Sequence, residues 1–173
     1  MIQINMILNK QNFFTTFKTV IFGIVLFSFW ALVSLSTKFL DKLFKIQLPQ
    51  FMLIPGIIFI IIGFIIAGFC AITFIIVGKG TPAPFDAPKE FVSVGLYKFV
   101  RNPMYIGIFI MFEGFAFVNL SVFMILFPFL WLLIVHLFII YYEEKKLGNL
   151  FGQSYYNYKN NTNRWIPKFR LNT

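Results

Sequence analysis

The chain has 173 residues, 59% of them hydrophobic and only 12% charged. A soluble domain of this size exposes more polar surface than that composition supplies, so a water-soluble globular fold is excluded. The net charge of +9 raises nucleic acid as a partner, but the basic residues sit between and after apolar runs, as in membrane proteins, and no nucleic acid is expected.

Met1 to Asn12 is polar to mixed, and the first long apolar run is followed by Lys38 rather than a small-residue cleavage site, which predicts no cleavable signal peptide. Four apolar segments follow: about Thr19 to Thr37, Phe51 to Val77, Met104 to Val118 and Leu120 to Tyr142. A helix needs roughly 20 residues to cross a hydrocarbon core near 30 Å thick. The first and fourth segments fit that length. The second is longer and is expected to tilt or to begin in the interface near Pro55-Gly56. The third is short, and the charge-free turn Asn119-Leu120-Ser121 joins it to the fourth as a tight helical hairpin. The expected fold is therefore all-α, a single polytopic domain over 1–173 of about four transmembrane helices with a cytoplasmic C-terminal cap. Residues 1–77 hold the first two helices, and 78–167 hold the motifs.

With four crossings, the N-terminus, second loop and tail share one side and carry twelve of the fifteen basic residues, against three (Lys38, Lys42, Lys45) on the other. The richer side is cytoplasmic by the positive-inside bias. Gly63, Ala67 and Ala71, and Gly107 with Gly114, form stripes of small residues where another helix can approach closely. Cys70 has no partner for an intramolecular disulfide and no companion for a zinc site. It reads as a small buried hydrophobe, and no metal is expected.

Two polar stretches fall on the same expected face. The first, GKGTPAPFDAPKEFVSVGLYKFVRNPMY from Gly78 to Tyr105, is barred from continuous helix by Pro82, Pro84 and Pro88. Pro103 suits the first turn of the third helix, with Asn102 as its N-cap. Arg101 beside that N-terminus makes an anion-binding corner, or else Arg101 and Lys98 are snorkelling interface anchors. The second stretch holds Glu143-Glu144, then Phe151-Gly152, Tyr155, Tyr158, Arg164, Trp165 and Pro167. Two carboxylates at a helix C-terminus work against the macrodipole, so Lys145, Lys146, Arg101, Arg164 or a cationic ligand should compensate them. Otherwise they are a solvated helix end. His136, seven residues before Glu143, projects from the same face. Glu113, deep in the third helix, should be protonated or face a partner, with His136 a candidate, or both simply hydrogen-bond within the bundle.

The run GLYKFVRNPMY, followed about forty residues later by EEKKL, FGQSYYNY and RWIP, resembles the integral-membrane methyltransferases related to isoprenylcysteine carboxyl methyltransferase and phospholipid methyltransferase. The preceding GKGTPAPFDAP looks like their bacterial branch, which implies a bacterial inner (cytoplasmic) membrane. The resemblance covers Gly78 to Pro167, and the first two helices carry no motif. It implies S-adenosylmethionine as cofactor and a lipophilic acceptor from the bilayer, of isoprenylcysteine-carboxylate or phospholipid type. It also implies a pocket in which Arg101, Asn102, Pro103 and Tyr105 take part, with Glu143 and Glu144 on the cofactor. Gly78 and Gly80 match a Gly-x-Gly cofactor element, and Tyr97 and His136 join the cofactor-binding candidates. Arg101, Tyr105 and Arg164 are the catalytic candidates. Asn102 stands at the position often occupied by His, which weakens the transfer of any role needing an ionisable ring, while an Asn can still cap and hydrogen-bond.

The chemistry of the residues agrees. A sulfonium and an ammonium are cations, so an excess of carboxylate suits such a cofactor. Methyl transfer demands alignment and exclusion of water rather than a metal. A carboxylate acceptor needs only orientation by Arg101 or Arg164. An amine or hydroxyl needs a base, with Glu143, Glu144 or Tyr105 available. Two other readings stay open. One is a small membrane reductase whose Arg164, Lys168 and Arg170 hold the 2′-phosphate of a nicotinamide cofactor. The other is a non-catalytic accessory membrane subunit.

Overall fold

The computed structural model describes residues 21, 24–25, 28–80 and 88–168. The N-terminal lysines, Pro82, Pro84 and Arg170, on which some expectations rested, lie outside them. Among the described residues every regular element is helical: α1 (28–44), α2 (Leu53–Gly78), α3 (Pro103–Val118), α4 (Val122–Phe138) and α5 (Glu144–Asn161). A 3-10 turn, Gln50–Met52, leads into α2, and another, Gly95–Lys98, precedes α3. A π turn, Ile139–Glu143, joins α4 to α5 without a break.

Isoleucine and phenylalanine dominate α2, yet it is helical over 26 residues. In lipid a helix satisfies every backbone donor and acceptor internally, and that requirement overrides side-chain propensity. Two continuous helices, Gln50–Gly78 and Val122–Asn161, are long and apolar enough to cross a membrane. Only 11% of the most apolar window of the first is buried, and 22% of the second. Core helices of soluble proteins bury such windows, so these side chains face a hydrocarbon surrounding. The second helix has 40 residues, about twice the number needed to cross the hydrocarbon core, with a kink at Gly152. Its apolar part ends at Tyr142, and α5, with Glu144, Lys145 and Lys146 in its first turn, projects beyond it.

The α2–α3 pair is held by glycines in antiparallel register. A Cβ on Gly63 would lie 2.5 Å from the Gly107 carbonyl oxygen and the Met111 nitrogen, and one on Gly114 would lie 2.7 Å from the Gly56 carbonyl oxygen. The helices thus touch backbone to backbone at two points seven residues apart, a small-residue interface of the kind expected in lipid. Gly107 and Gly63 are as expected. So are Gly114 and Ala67, and Gly56 joins them.

The hairpin between α3 and α4 turns at Leu120, whose φ of 53° is left-handed. Ser121 caps α4 by accepting from the Met124 amide at 3.1 Å. Asp41 of α1 adds a second cap, its Oδ1 accepting from Val122 and Phe123, both at 3.1 Å. With Trp30 against Phe112 and Phe127, this fixes α1 on the hairpin.

Candidate functional site

The ends of α2, α4 and the apolar stretch before α5 meet the start of α3 at one end of the bundle. There the chain folds back: α5 and the strap 162–168 return over the N-terminus of α3. The Arg101 amide donates to the Asn163 carbonyl at 2.8 Å and the Asn102 amide to the Arg164 carbonyl at 3.2 Å. Phe91 packs on the rings of Phe151, Tyr155 and Tyr158, and the Tyr158 hydroxyl donates to the Tyr97 carbonyl at 2.6 Å. Gly152 (φ 52°, ψ −129°) kinks α5 so that it can double back.

Glu144 lies at the centre of this fold-back, its side chain 6% exposed. Arg164 grips it with both arms, Nε to Oε1 at 2.6 Å and Nη2 to Oε2 at 3.2 Å. Lys159 Nζ lies 2.7 Å from Oε2 and Arg101 Nη2 3.1 Å from Oε1. Burial alone pushes the Glu144 carboxyl up, but the bonds from Arg164 and Lys159 and the charge of Arg101 outweigh it and hold the group below the ordinary carboxylate range. The same pairing pushes the Arg164 guanidinium up. One residue earlier on the helix, Glu143 points elsewhere and accepts from the Tyr105 hydroxyl at 3.2 Å. The start of α3 and the start of α5 are therefore tied by two contacts, Arg101–Glu144 and Tyr105–Glu143.

Several expectations change. The helix does not end at Glu143-Glu144 but continues to Asn161, so the two carboxylates face no unpaired carbonyls and the macrodipole penalty disappears. The corner does not carry an excess of carboxylate: Glu144 is outnumbered by three cations. Asn102 occupies the N-cap position of α3, but its side chain makes no cap bond; its Nδ2 donates to the Arg164 carbonyl at 3.4 Å instead. Pro103 takes the first helical turn as expected. His136 does not pair with Glu113. Its Nδ1 accepts from Trp165 Nε1 at 3.0 Å, while Glu113 Oε1 is buried and has no hydrogen-bond partner among the described residues.

The remaining candidates make no hydrogen bond or ion pair to Glu143 or Glu144 among the described residues, although Tyr97 lies near enough to Glu143 to feel its charge. Tyr97 is packed in a core cluster with Cys70 and Val92. Gly78 ends α2, where its carbonyl accepts from the Lys89 and Glu90 amides at 2.8 and 3.1 Å, and a Cβ there would meet Val92 at 2.9 Å. Lys79 after it is left-handed (φ 51°) and pairs with Glu90, and Gly80 follows at the edge of the described loop. That element closes a loop by itself. The sequence reading missed Lys159, counted there only toward membrane topology, and the part of Trp165. Both reach their partners only because α5 doubles back, which no local pattern announces.

A helical bundle whose apolar helices face lipid and whose charged side chains lie mainly at its two ends defines an integral membrane protein. Residues 51–154, 104 of the 173 positions, match the family model described as phospholipid methyltransferase. The chain belongs to the phospholipid methyltransferase family, whose members use S-adenosylmethionine as methyl donor. The match takes in all of α2, which carries no motif of its own, and stops before Lys159, Arg164 and Trp165. Among curated proteins no sequence matches the chain.

Proposed function

We propose that this protein is an S-adenosylmethionine-dependent methyltransferase that acts on a lipophilic acceptor entering from the bilayer. The observation that carries the reading is the junction of Arg101 and Tyr105 with Glu143 and Glu144, inside the span of the family match and at the end of lipid-facing helices. The four apolar segments α1 to α4 cross the membrane, and the end bearing the junction is cytoplasmic by the distribution of basic residues.

The residues fit the cofactor's groups. The Arg101 side chain is only 9% exposed, and among the described residues its Nε and Nη1 have no acceptor. A buried guanidinium with two spare donors suits a carboxylate or a phosphate. Among the described residues Glu143 accepts one hydrogen bond, from Tyr105, which leaves acceptor capacity for an ammonium or for ribose hydroxyls. When bound, the cofactor supplies an electrophilic methyl group on a sulfonium. Glu143 and Arg101 position it, Tyr105 orients Glu143, and the fold-back of α5 with its strap excludes water from the junction. Glu144 acts as a hub that positions Arg101 and Arg164. Arg164, which a nicotinamide-cofactor reading would assign to a nucleotide phosphate, is engaged by Glu144 on both arms.

Ultraviolet crosslinking of radiolabelled S-adenosylmethionine to the purified protein, with transfer of label into lipid-extractable product, tests this. Wild type should label, and Glu143→Gln, still folded, should lose most of the label. Equal labelling of the two folded proteins would sink the site assignment. No labelling of either would sink the activity.

A further inference from the structure

The opposite end of the bundle holds a cleft of about 550 Å³ lined by Lys38, Asp41, Lys42, Lys45, Asn119 and Leu120, together with Ile46 and Gln47. It is separated from Arg101 and Glu144 by the length of α3, 16 residues or about 24 Å. The three lysines are spaced so that Lys38, Lys42 and Lys45 follow one face of α1 and its end. Among the described residues none of them has an ion-pair partner. Asp41, the one carboxylate in the cleft, turns its Oδ1 to the Val122 and Phe123 amides of α4. Three like charges thus share one concavity, and an anion placed there relieves their repulsion.

The position says which anion. Phe39, Leu43 and Phe44 are exposed beside the lysines on the same turns of α1, which puts acyl-chain surface next to the cationic rim at the end of the lipid-facing bundle. Lysine stems also lie along apolar surface while their heads reach the headgroup layer. We propose that this cleft is a second ligand site, one that holds the phosphate of an anionic phospholipid of the leaflet on the α3–α4 turn side. It is independent of the methyl-transfer reading and concerns different residues.

Native mass spectrometry of the purified full chain in detergent micelles, titrated with phosphatidylglycerol or with phosphatidylcholine, tests it without any methyl donor. Phosphatidylglycerol should be retained in preference. Each Lys→Gln change at 38, 42 or 45 should weaken it about five-fold, as expected for one basic residue at an anionic surface. Lys→Arg changes at the same positions should keep it, and Lys89→Gln, which removes a charge from the other end, should leave it unchanged. The single variants keep the test alive if the triple variant does not fold. Equal retention of the two lipids, or undiminished phosphatidylglycerol on the Lys→Gln variants, overturns the proposal. Displacement of the lipid by inorganic phosphate at matched concentration overturns it in favour of a soluble anion.

Discussion

Arg101 and Glu144 lie 3.1 Å apart, with side chains 9% and 6% exposed, and they join the residue just before α3's N-cap to the first residue of α5. The pair is more than a crosslink. Because Arg164 and Lys159 converge on the same carboxylate, Glu144 holds three separate stretches of chain around a single charge. Removing it leaves three like charges facing one another in a poorly solvated corner. Glu144→Gln should therefore destabilise the protein by about 3 kcal/mol, with Lys159 contributing least because it is the most exposed of the three cations. Thermal unfolding in detergent should show a midpoint lowered by roughly 6–12 °C. A shift under 2 °C would mean that the hub is not structural.

The same carboxylate sets an acid limit. Its folded-state pKa is held below the ordinary value, which for a free Glu is about 4.3. The unfolded chain therefore binds the proton more readily, and the stability that Glu144 contributes is fully present above pH about 4.3. It is lost as pH falls through the lower, folded value. The difference in midpoint between wild type and Glu144→Gln should stay constant from neutral pH down to about 5 and shrink below 4. Glu144→Gln should show a shallower acid limb. An acid limb unchanged by that substitution would place the sensitive group elsewhere.

At the α2–α3 interface the contact is backbone to backbone, so small side chains are enough to break it. Gly107→Ala puts a Cβ 2.8 Å from the Ala67 nitrogen and Gly63→Ala puts one 2.5 Å from two backbone atoms. Neither backbone can retreat without moving a whole helix. Each change should cost about 1–3 kcal/mol as overpacking. Gly68, on the same helix, has nothing within 4 Å of its Cβ position, so Gly68→Ala is the matched control and should leave the unfolding midpoint equal or slightly higher. Equal behaviour of the three variants would refute the register given above.

Hydropathy made the helices legible in the sequence, because lipid leaves the backbone no alternative to helix once a run is long and apolar. The α3–α4 turn and Pro103 at the start of α3 were legible for local reasons, through an uncharged break and a proline. What the sequence concealed depends on tertiary return. The π turn at Ile139–Glu143 and the kink at Gly152 keep the helix going past Glu143-Glu144 and then bend it back, so a pair that reads as a helix end becomes the start of α5. Lys159 and Arg164 lie 15 and 20 residues after Glu144, too far for any periodic pattern to pair them with it. His136 and Trp165, 29 residues apart, escape for the same reason.

Tyr105 and Glu143 give the sharpest test of the site, because breaking their contact leaves the Arg101–Glu144 tie between α3 and α5 in place. Their hydrogen bond is 3.2 Å long, and a bond to a carboxylate is worth about 1.5–3 kcal/mol when it is lost. If Tyr105 orients Glu143 toward the cofactor, Tyr105→Phe should lower kcat/KM for methyl transfer by roughly ten-fold or more, the rate equivalent of that energy, when assayed well below an unfolding midpoint that the lost bond lowers by roughly 3–12 °C. Glu143→Gln should cost at least as much. The double variant should then be scarcely worse than Glu143→Gln alone, because the tyrosine acts only through the carboxylate it orients. Additive losses in that cycle would show that the hydroxyl works on its own, against substrate or cofactor, and would move Tyr105 from a positioning residue to a catalytic one. Full activity in Tyr105→Phe would remove it from the site altogether.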